Sequence, residues 1–126
     1  MNKELHLNES TMIVSETDTK GNIMYVNSDF CKIAGFTKDE LIGQPHNLVR
    51  HKDMPSAAFK SLWTSIKSGK TWNGRVKNIT KNGDYYWVDA TVYSVTKNNG
   101  EKRYLSVRSK PSREQVNIAI ELYKTL

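Results

Sequence analysis

A single cysteine, Cys31, in 126 residues excludes an internal disulfide and fits a reducing compartment. No apolar run approaches the length of a signal-peptide core or a membrane span, so a cytoplasmic protein without direct membrane insertion is expected. Internal repeats and low-complexity tracts are absent, and the length fits one domain with a modest core. Acidic residues are in deficit: 13 Asp and Glu stand against 19 Lys and Arg, a formal charge of +6. The excess is scattered, and no helix or strand interleaves basic residues with exposed aromatics, which argues against nucleic-acid binding. The chain also lacks a Gly-x-Gly-x-x-Gly nucleotide fingerprint and any acid-base pair around a substrate pocket, so an enzyme is not expected and no catalytic or metal-ligating residue is assigned.

What is present is concentrated between Gly43 and Pro55, where two imidazoles (His46, His51), the Arg50 guanidinium and the Asp53 carboxylate fall within thirteen residues. Gly43, Pro45 and Pro55 bound this run and predict a loop or short helical turns, a setting in which convergent polar groups usually bind something. Around it the pattern alternates between two periods. Met12 to Thr17 and Ile23 to Asn27 predict a hairpin turning at Asp18-Thr19-Lys20-Gly21. Ser28 to Ala34 predicts a short helix ended by Gly35, and Thr37-Lys38-Asp39-Glu40 has the form of a capping box. Asp53 or Ser56 is positioned to cap a longer helix that shows Phe59, Leu62, Trp63 and Ile66 on one face.

The second half is strand-like. Trp72 to Thr80, Asp84 to Val95 and Arg103 to Ser109 form a meander joined by two Asn-Gly turns. Ser112 and Gln115 open a final amphipathic helix with Val116, Ala119, Ile120, Tyr123 and Leu126 along one side. The expected layout is α+β: a five-stranded antiparallel sheet with short helices on one face and a C-terminal helix. Residues 1–11 read as an N-terminal segment, 12–110 as the domain, and 111–126 as a helix whose apolar face needs a partner.

Strand parity adds a clue. Trp72, Gly74, Val76, Asn78 and Thr80 share one face, the buried one, and an unpaired amide at Asn78 costs about 1–3 kcal/mol there. A neighbouring backbone group, a water or a ligand can satisfy it. Gly74 marks either a bulge or a close approach of a flat ring, and Trp72 either a core aromatic or a stacking surface. Asp53 serves equally as a helix cap or as a group orienting Arg50 or His51.

The segments Gly21 to Phe30 and Gly35 to Gly43 resemble a PAS sensor domain, and the resemblance runs from about Ile13 to Ser109. The run Gln44 to Pro55, followed by Trp63, Trp72-Asn73-Gly74, Lys77-Asn78 and Lys81 to Val88, is similar to the flavin-binding PAS domains of aerotaxis receptors. That resemblance implies non-covalent FAD, read for its redox or energy state and reported to a chemotaxis transducer or other signalling protein. It places Asn27, Arg50, His51, Asp53, Trp72 and Asn78 on positions associated with FAD binding or signalling, with His46 and Asn47 in the same segment. The chemistry agrees: Arg50 offers a fork of donors for pyrophosphate, His46 or His51 can stack on adenine or donate to phosphate, and Asn78 can pair with the flavin's pyrimidine edge.

Light-sensing relatives carry a cysteine in the segment that here holds Asn47 to His51, so no photoadduct is expected. Cys31 reads instead as a small buried hydrophobe. The alternative is a haem-binding gas or oxygen sensor of the same fold, with His46 or His51 as axial ligand. Receptors of this type keep a membrane span and signalling segments on the same chain. The sequence therefore reads as an excised sensor domain or as a separate protein docking on a membrane transducer, with self-association through the terminal segments.

Overall fold

The computed structural model of the chain describes residues 2–126. The hairpin forms as expected from β2 (Ile13–Thr17) and β3 (Ile23–Val26), with Gly21 at positive φ in the turn. Asn27 caps α1 (Ser28–Ala34) by accepting from Phe30 N, and Gly35 ends it in the left-handed region that a Cβ disfavours. The Thr37–Glu40 capping box opens the one-turn α2 (Lys38–Leu41) with both reciprocal bonds made. The polar run follows as a 3-10 turn (His46–Val49), a single bridging residue at Arg50 and a second turn closed by Met54 N donating to His51 O.

Helix α3 (Ser56–Lys67) starts behind Pro55 without any side-chain cap, which corrects the capping role considered for Asp53 and Ser56. The Asp53 carboxylate is instead drawn 3.0 Å from Lys77 Nζ, where opposite charge outcompetes a backbone amide. Strands β4 (Trp72–Ile79), β5 (Tyr85–Thr96) and β6 (Lys102–Ser109) form the meander, and the Ser112/Gln115 capping box starts α4 (Arg113–Tyr123).

The main sheet runs β4-β5-β6-β2-β3, all antiparallel neighbours. The expected five strands become six, because β1 (Glu4–Leu5) pairs parallel to β5. Pairing with β6 begins only at Asp89, so Tyr85 and Tyr86 have a free flank; Lys3 O accepts from Tyr85 N there. Two residues carry no readable period, which hides such a strand in the sequence.

Register fixes the two faces. Trp72, Gly74, Val76 and Asn78 lie opposite Val92, Ala90, Val88 and Tyr86, which share a face with Tyr104, Ser106 and Arg108 on β6 and with Ile13, Ser15 and Thr17 on β2. This concave face is covered by α1, α2, the polar run and α3. Phe30, Ala34, Leu41 and Val49 are buried under them with Ile23, Val26 and Val88. Helix α4 packs on the opposite face: Val116 and Ala119 join the core, Tyr123 stacks on Trp87 with centroids 6.4 Å apart, and its hydroxyl donates to Arg75 O.

Candidate functional site

The polar run is a strap joining the two edges of the sheet. At its start Gly43 N donates to Ile23 O, Ile23 N to Gln44 O, and His46 N to Gly21 O, stitching it to edge strand β3. At its end His51 N donates to Lys77 O, and Arg50 bridges Asn78 on edge strand β4. Between these attachments it spans the concave face and roofs a cavity of about 280 Å³. Pro45 and Pro55 cannot donate a ladder hydrogen bond, so neither end of the run continues as a strand.

The floor of the cavity is Val76, Asn78, Ala90, Val92, Ser106 and Arg108, and one wall is Phe59, Leu62, Trp63 and Ile66 of α3. The apolar face read from the helical spacing of Phe59, Leu62, Trp63 and Ile66 thus lines the cavity. Lys20, Gly21, Pro45, His46, Asn47 and Arg50 form the remaining rim. Every charged residue lining it, Lys20, Arg50 and Arg108, is cationic, and no carboxylate is among the described lining residues.

Two buried polar groups meet on the floor. Asn78, 1 % exposed, donates its amide to Val49 O at 3.1 Å and accepts from Arg108 Nη1 at 3.0 Å. Arg108 Nε donates to Ser106 Oγ at 3.0 Å, and Nη2 lies 3.3–3.4 Å from both His46 nitrogens. His46 Nε2 is in turn 3.0 Å from Ser15 Oγ. Burial, then the Arg108 charge, drive His46 down to about 3, so its imidazole is neutral. Burial also lowers Arg108 to about 10, leaving a cation in place at neutral pH. Burial pushes the Tyr86 hydroxyl beside this group up to about 12.

The expected site residues separate into two groups. Asn78, His46, Asn47 and Arg50 converge on the cavity, with the Arg50 guanidinium 4.4 Å above the Phe59 ring. His51, Asp53, Trp72 and Asn27 do not. His51 is buried outside the edge of the sheet, its Nδ1 accepting from Asp53 N at 3.0 Å and its ring set edge-on to Tyr85. Burial and then Lys77 lower its pKa. Asp53 pairs with Lys77, whose Nζ lies 4.5 Å from the Tyr85 ring centre; these contacts fasten the strap rather than line the cavity. Trp72 folds over Gly74 and donates from Nε1 to Ser61 Oγ at 3.3 Å, placing its ring between β4 and α3 and outside the cavity. Asn27 is spent on local structure, accepting from Val14 N and Phe30 N and donating to Met12 O.

Arg108 was not legible as a site residue. Its strand offers two parities, and Leu105 and Val107 make the apolar one look buried, whereas Tyr104, Ser106 and Arg108 are the residues that face inward. The usable signal was the preceding turn: Asn99-Gly100 fixes the hairpin register against β5, and with it the face of Arg108.

The chain belongs to the PAS family: residues 23–108 match the family described as PAS fold. It is 42 % identical over 120 residues to the aerotaxis receptor of Escherichia coli, covering 95 % of this chain and 24 % of that protein. It is also 27 % identical over 101 residues to the nitrogen fixation regulatory protein of Klebsiella oxytoca, across 79 % of this chain and 20 % of that one. The chain thus spans about a quarter or less of the length of these two relatives. Among solved structures, the light-state structure of the blue-light photoreceptor Aureochrome1 LOV superposes with a TM-score of 0.73 at 16 % identity, covering 90 % of each chain, which is agreement in fold. Among the described residues no helix is long and apolar enough to cross a membrane.

Proposed function

We infer that this PAS domain binds FAD non-covalently and reports the redox state of the flavin to a signalling partner, a chemotaxis transducer in view of its likeness to the aerotaxis receptor. One observation carries the reading: a cavity on the concave face with apolar walls, an Asn78–Arg108 pair on its floor and only cations among its charged lining residues. About 280 Å³ lies near the lower end of ligand-pocket volumes, so it suits one planar ring system and not a whole dinucleotide. At the rim Arg50, Asn47 and Lys20 would supply donors and positive charge for the phosphate oxygens of the remainder of FAD.

Bound there, a flavin supplies reversible electron transfer. Asn78 and Arg108 on the floor would hold the polar groups of such a ring, and Leu62, Trp63 and Ile66 would exclude water from it. His51 and Asp53 act through the strap that holds Arg50 beside Asn78. Because Asn78 also bonds Val49 O, any rearrangement of its amide moves the strap, and a ligand that interacts differently with two arrangements shifts their balance. The C-terminal segment 111–126, which contains α4, leaves Ile118, Leu122 and Leu126 exposed, and with residues 1–11 it is assigned to docking or self-association.

Neither imidazole is free for haem: His46 Nε2 is occupied by Ser15, and His51 lies outside the cavity. The test is the spectrum of the purified protein and the cofactor released on heating. Stoichiometric FAD is expected; a sharp Soret band with no released flavin overturns the reading.

A further inference from the structure

Arg50 is exposed at the cavity rim, and among the described residues its guanidinium has neither a carboxylate within ion-pair distance nor a hydrogen-bond partner. What holds it is a ring: the guanidinium carbon lies 4.4 Å from the centre of Phe59 on α3. Lys77 and Lys81 also lie over rings, but each is ion-paired as well, with Asp53 and Glu40. Lys67, over Trp63, has no such partner among the described residues and does not line the cavity. A carboxylate partner would occupy donors of the Arg50 fork and cancel its charge. An aromatic face attracts the cation and does neither, so charge and donors stay available to an anion from outside the protein. Phe59 is suited to this part. Its ring is half-buried and packs on the central core from the first turns of α3, while the Arg50 backbone is fixed from the other side by its bridge to Asn78.

Resting on the assignment of FAD to this cavity, we propose that Phe59 is a positioning residue for Arg50, and that through this contact it sets the preference of the site for flavins carrying phosphate over the bare ring system. A long, exposed arginine side chain loses rotamer freedom when it closes on a ligand. Holding it over Phe59 beforehand removes part of that cost, and the gain goes only to a ligand with an anionic group at the rim. A cation–π contact at an exposed site corresponds to about two- to fivefold in affinity, and a charge-assisted phosphate contact to about tenfold or more. Riboflavin has the same ring system without phosphate, so it gains neither. Phe59 also lines the cavity wall, and any loss of wall packing falls on FAD and riboflavin alike. The ratio of the two affinities therefore isolates its action through Arg50.

The experiment has two readouts on the full chain. In the first, the flavin-free wild type, Phe59→Leu, Phe59→Tyr, Arg50→Ala and the Phe59→Leu/Arg50→Ala double variant are titrated with FAD and with riboflavin. Wild type is expected to prefer FAD by about tenfold or more, and Phe59→Leu to lose about two- to fivefold of that preference. Phe59→Tyr keeps the aromatic face and is expected to stay close to wild type, and Phe59→Leu is expected to change nothing further once Arg50 is alanine. In the second, proton NMR of the flavin-free chain is expected to show the Arg50 side-chain resonances shifted upfield by the ring current, in wild type and Phe59→Tyr but not in Phe59→Leu. Unshifted Arg50 resonances in wild type overturn the proposal even if Phe59→Leu does not fold. So does a wild type that binds riboflavin as tightly as FAD, a Phe59→Leu with an unchanged preference, a Phe59→Tyr as impaired as Phe59→Leu, or a loss of preference that persists in the double variant. A wild-type chain that binds neither flavin overturns the FAD assignment and this proposal together, whereas the other outcomes overturn this one alone.

Discussion

Asn78 on β4 and Arg108 on β6 share a hydrogen bond of 3.0 Å across β5, and the same Asn78 amide holds Val49 O of the strap. One side chain therefore ties both outer parts of the cavity to the buried cation. Asn78→Leu removes a donor and an acceptor together, leaving Val49 O and one Arg108 donor without partners. A loss of about 1–3 kcal/mol of stability is expected from such orphaned groups. Because the two residues share a contact, Asn78→Leu and Arg108→Gln are expected to be non-additive by about 0.5 kcal/mol or more in a double-mutant cycle, measured by urea unfolding of the flavin-free proteins.

His46 makes stability depend on pH. Its folded pKa of about 3 lies below the ordinary histidine value, so between pH 3 and 6.5 the unfolded chain binds a proton at this site that the folded chain does not. Its contribution is therefore fully present above pH 6.5 and is lost as the pH falls, at up to about 1.4 kcal/mol per pH unit. Carboxylates such as Glu40 and Asp53, held low by their lysine partners, add their own loss at lower pH. The measurement is thus a difference: unfolding free energies of wild type and His46→Gln between pH 4.5 and 7.5. The variant is expected to show the shallower dependence over this window, and parallel curves would contradict it.

The sequence's periods carried most of the fold and part of the site. The Thr37/Glu40 and Ser112/Gln115 boxes, the Asn-Gly turns and the α3 stripe each rest on local chemistry, and each element formed where that chemistry points. The parity of β4 placed Asn78 correctly because its alternate residues Asn73, Arg75 and Lys77 are polar and leave one apolar face. What was hidden depended on partners remote in sequence. Arg108 is defined by strands β4 and β5 and by the strap. The separation of Arg50 from His51 depends on the strap turning over the edge of β4 between them, so that neighbouring residues end on opposite sides of it. Trp72 shares the buried face with Asn78, yet its ring leans along the strand over Gly74, a direction that parity does not specify.

That separation predicts different phenotypes within one motif. Arg50→Ala removes a cation at the cavity rim and its contact with Phe59 while leaving the strap's backbone bonds intact. The folded protein is expected to lose roughly tenfold or more in FAD affinity, the equivalent of about 1.5–3 kcal/mol for a charge-assisted contact. Asp53→Asn and Lys77→Met each break the fastening on the outer face, where Asp53 is well exposed. Only a few-fold loss is expected, seen as faster FAD release, and for wild type a release rate that rises with salt. Stopped-flow release after dilution separates the two classes; equal effects for Arg50→Ala and Asp53→Asn would contradict the division.

The contact between Trp72 and Gly74 makes a further test of how β4 is held against α3. A Cβ at position 74 would lie 2.4 Å from Trp72 Cη2 and 2.6 Å from Cζ2, far inside van der Waals contact with a large, stiff ring. Gly74 is not at positive φ, so backbone strain contributes nothing and the effect of Gly74→Ala is steric alone. Overpacking of this kind costs about 1–3 kcal/mol. The ring must swing toward α3 and lose the Nε1 bond to Ser61, or toward the cavity and narrow it. Trp72→Leu in the same chain removes the clashing atoms, so the double variant is expected to regain part of the stability lost by Gly74→Ala, relative to Trp72→Leu alone. Thermal unfolding of the four proteins gives the answer, and a Gly74→Ala penalty that persists undiminished in the Trp72→Leu background would show that the close approach of the indole is not what fixes glycine at this position.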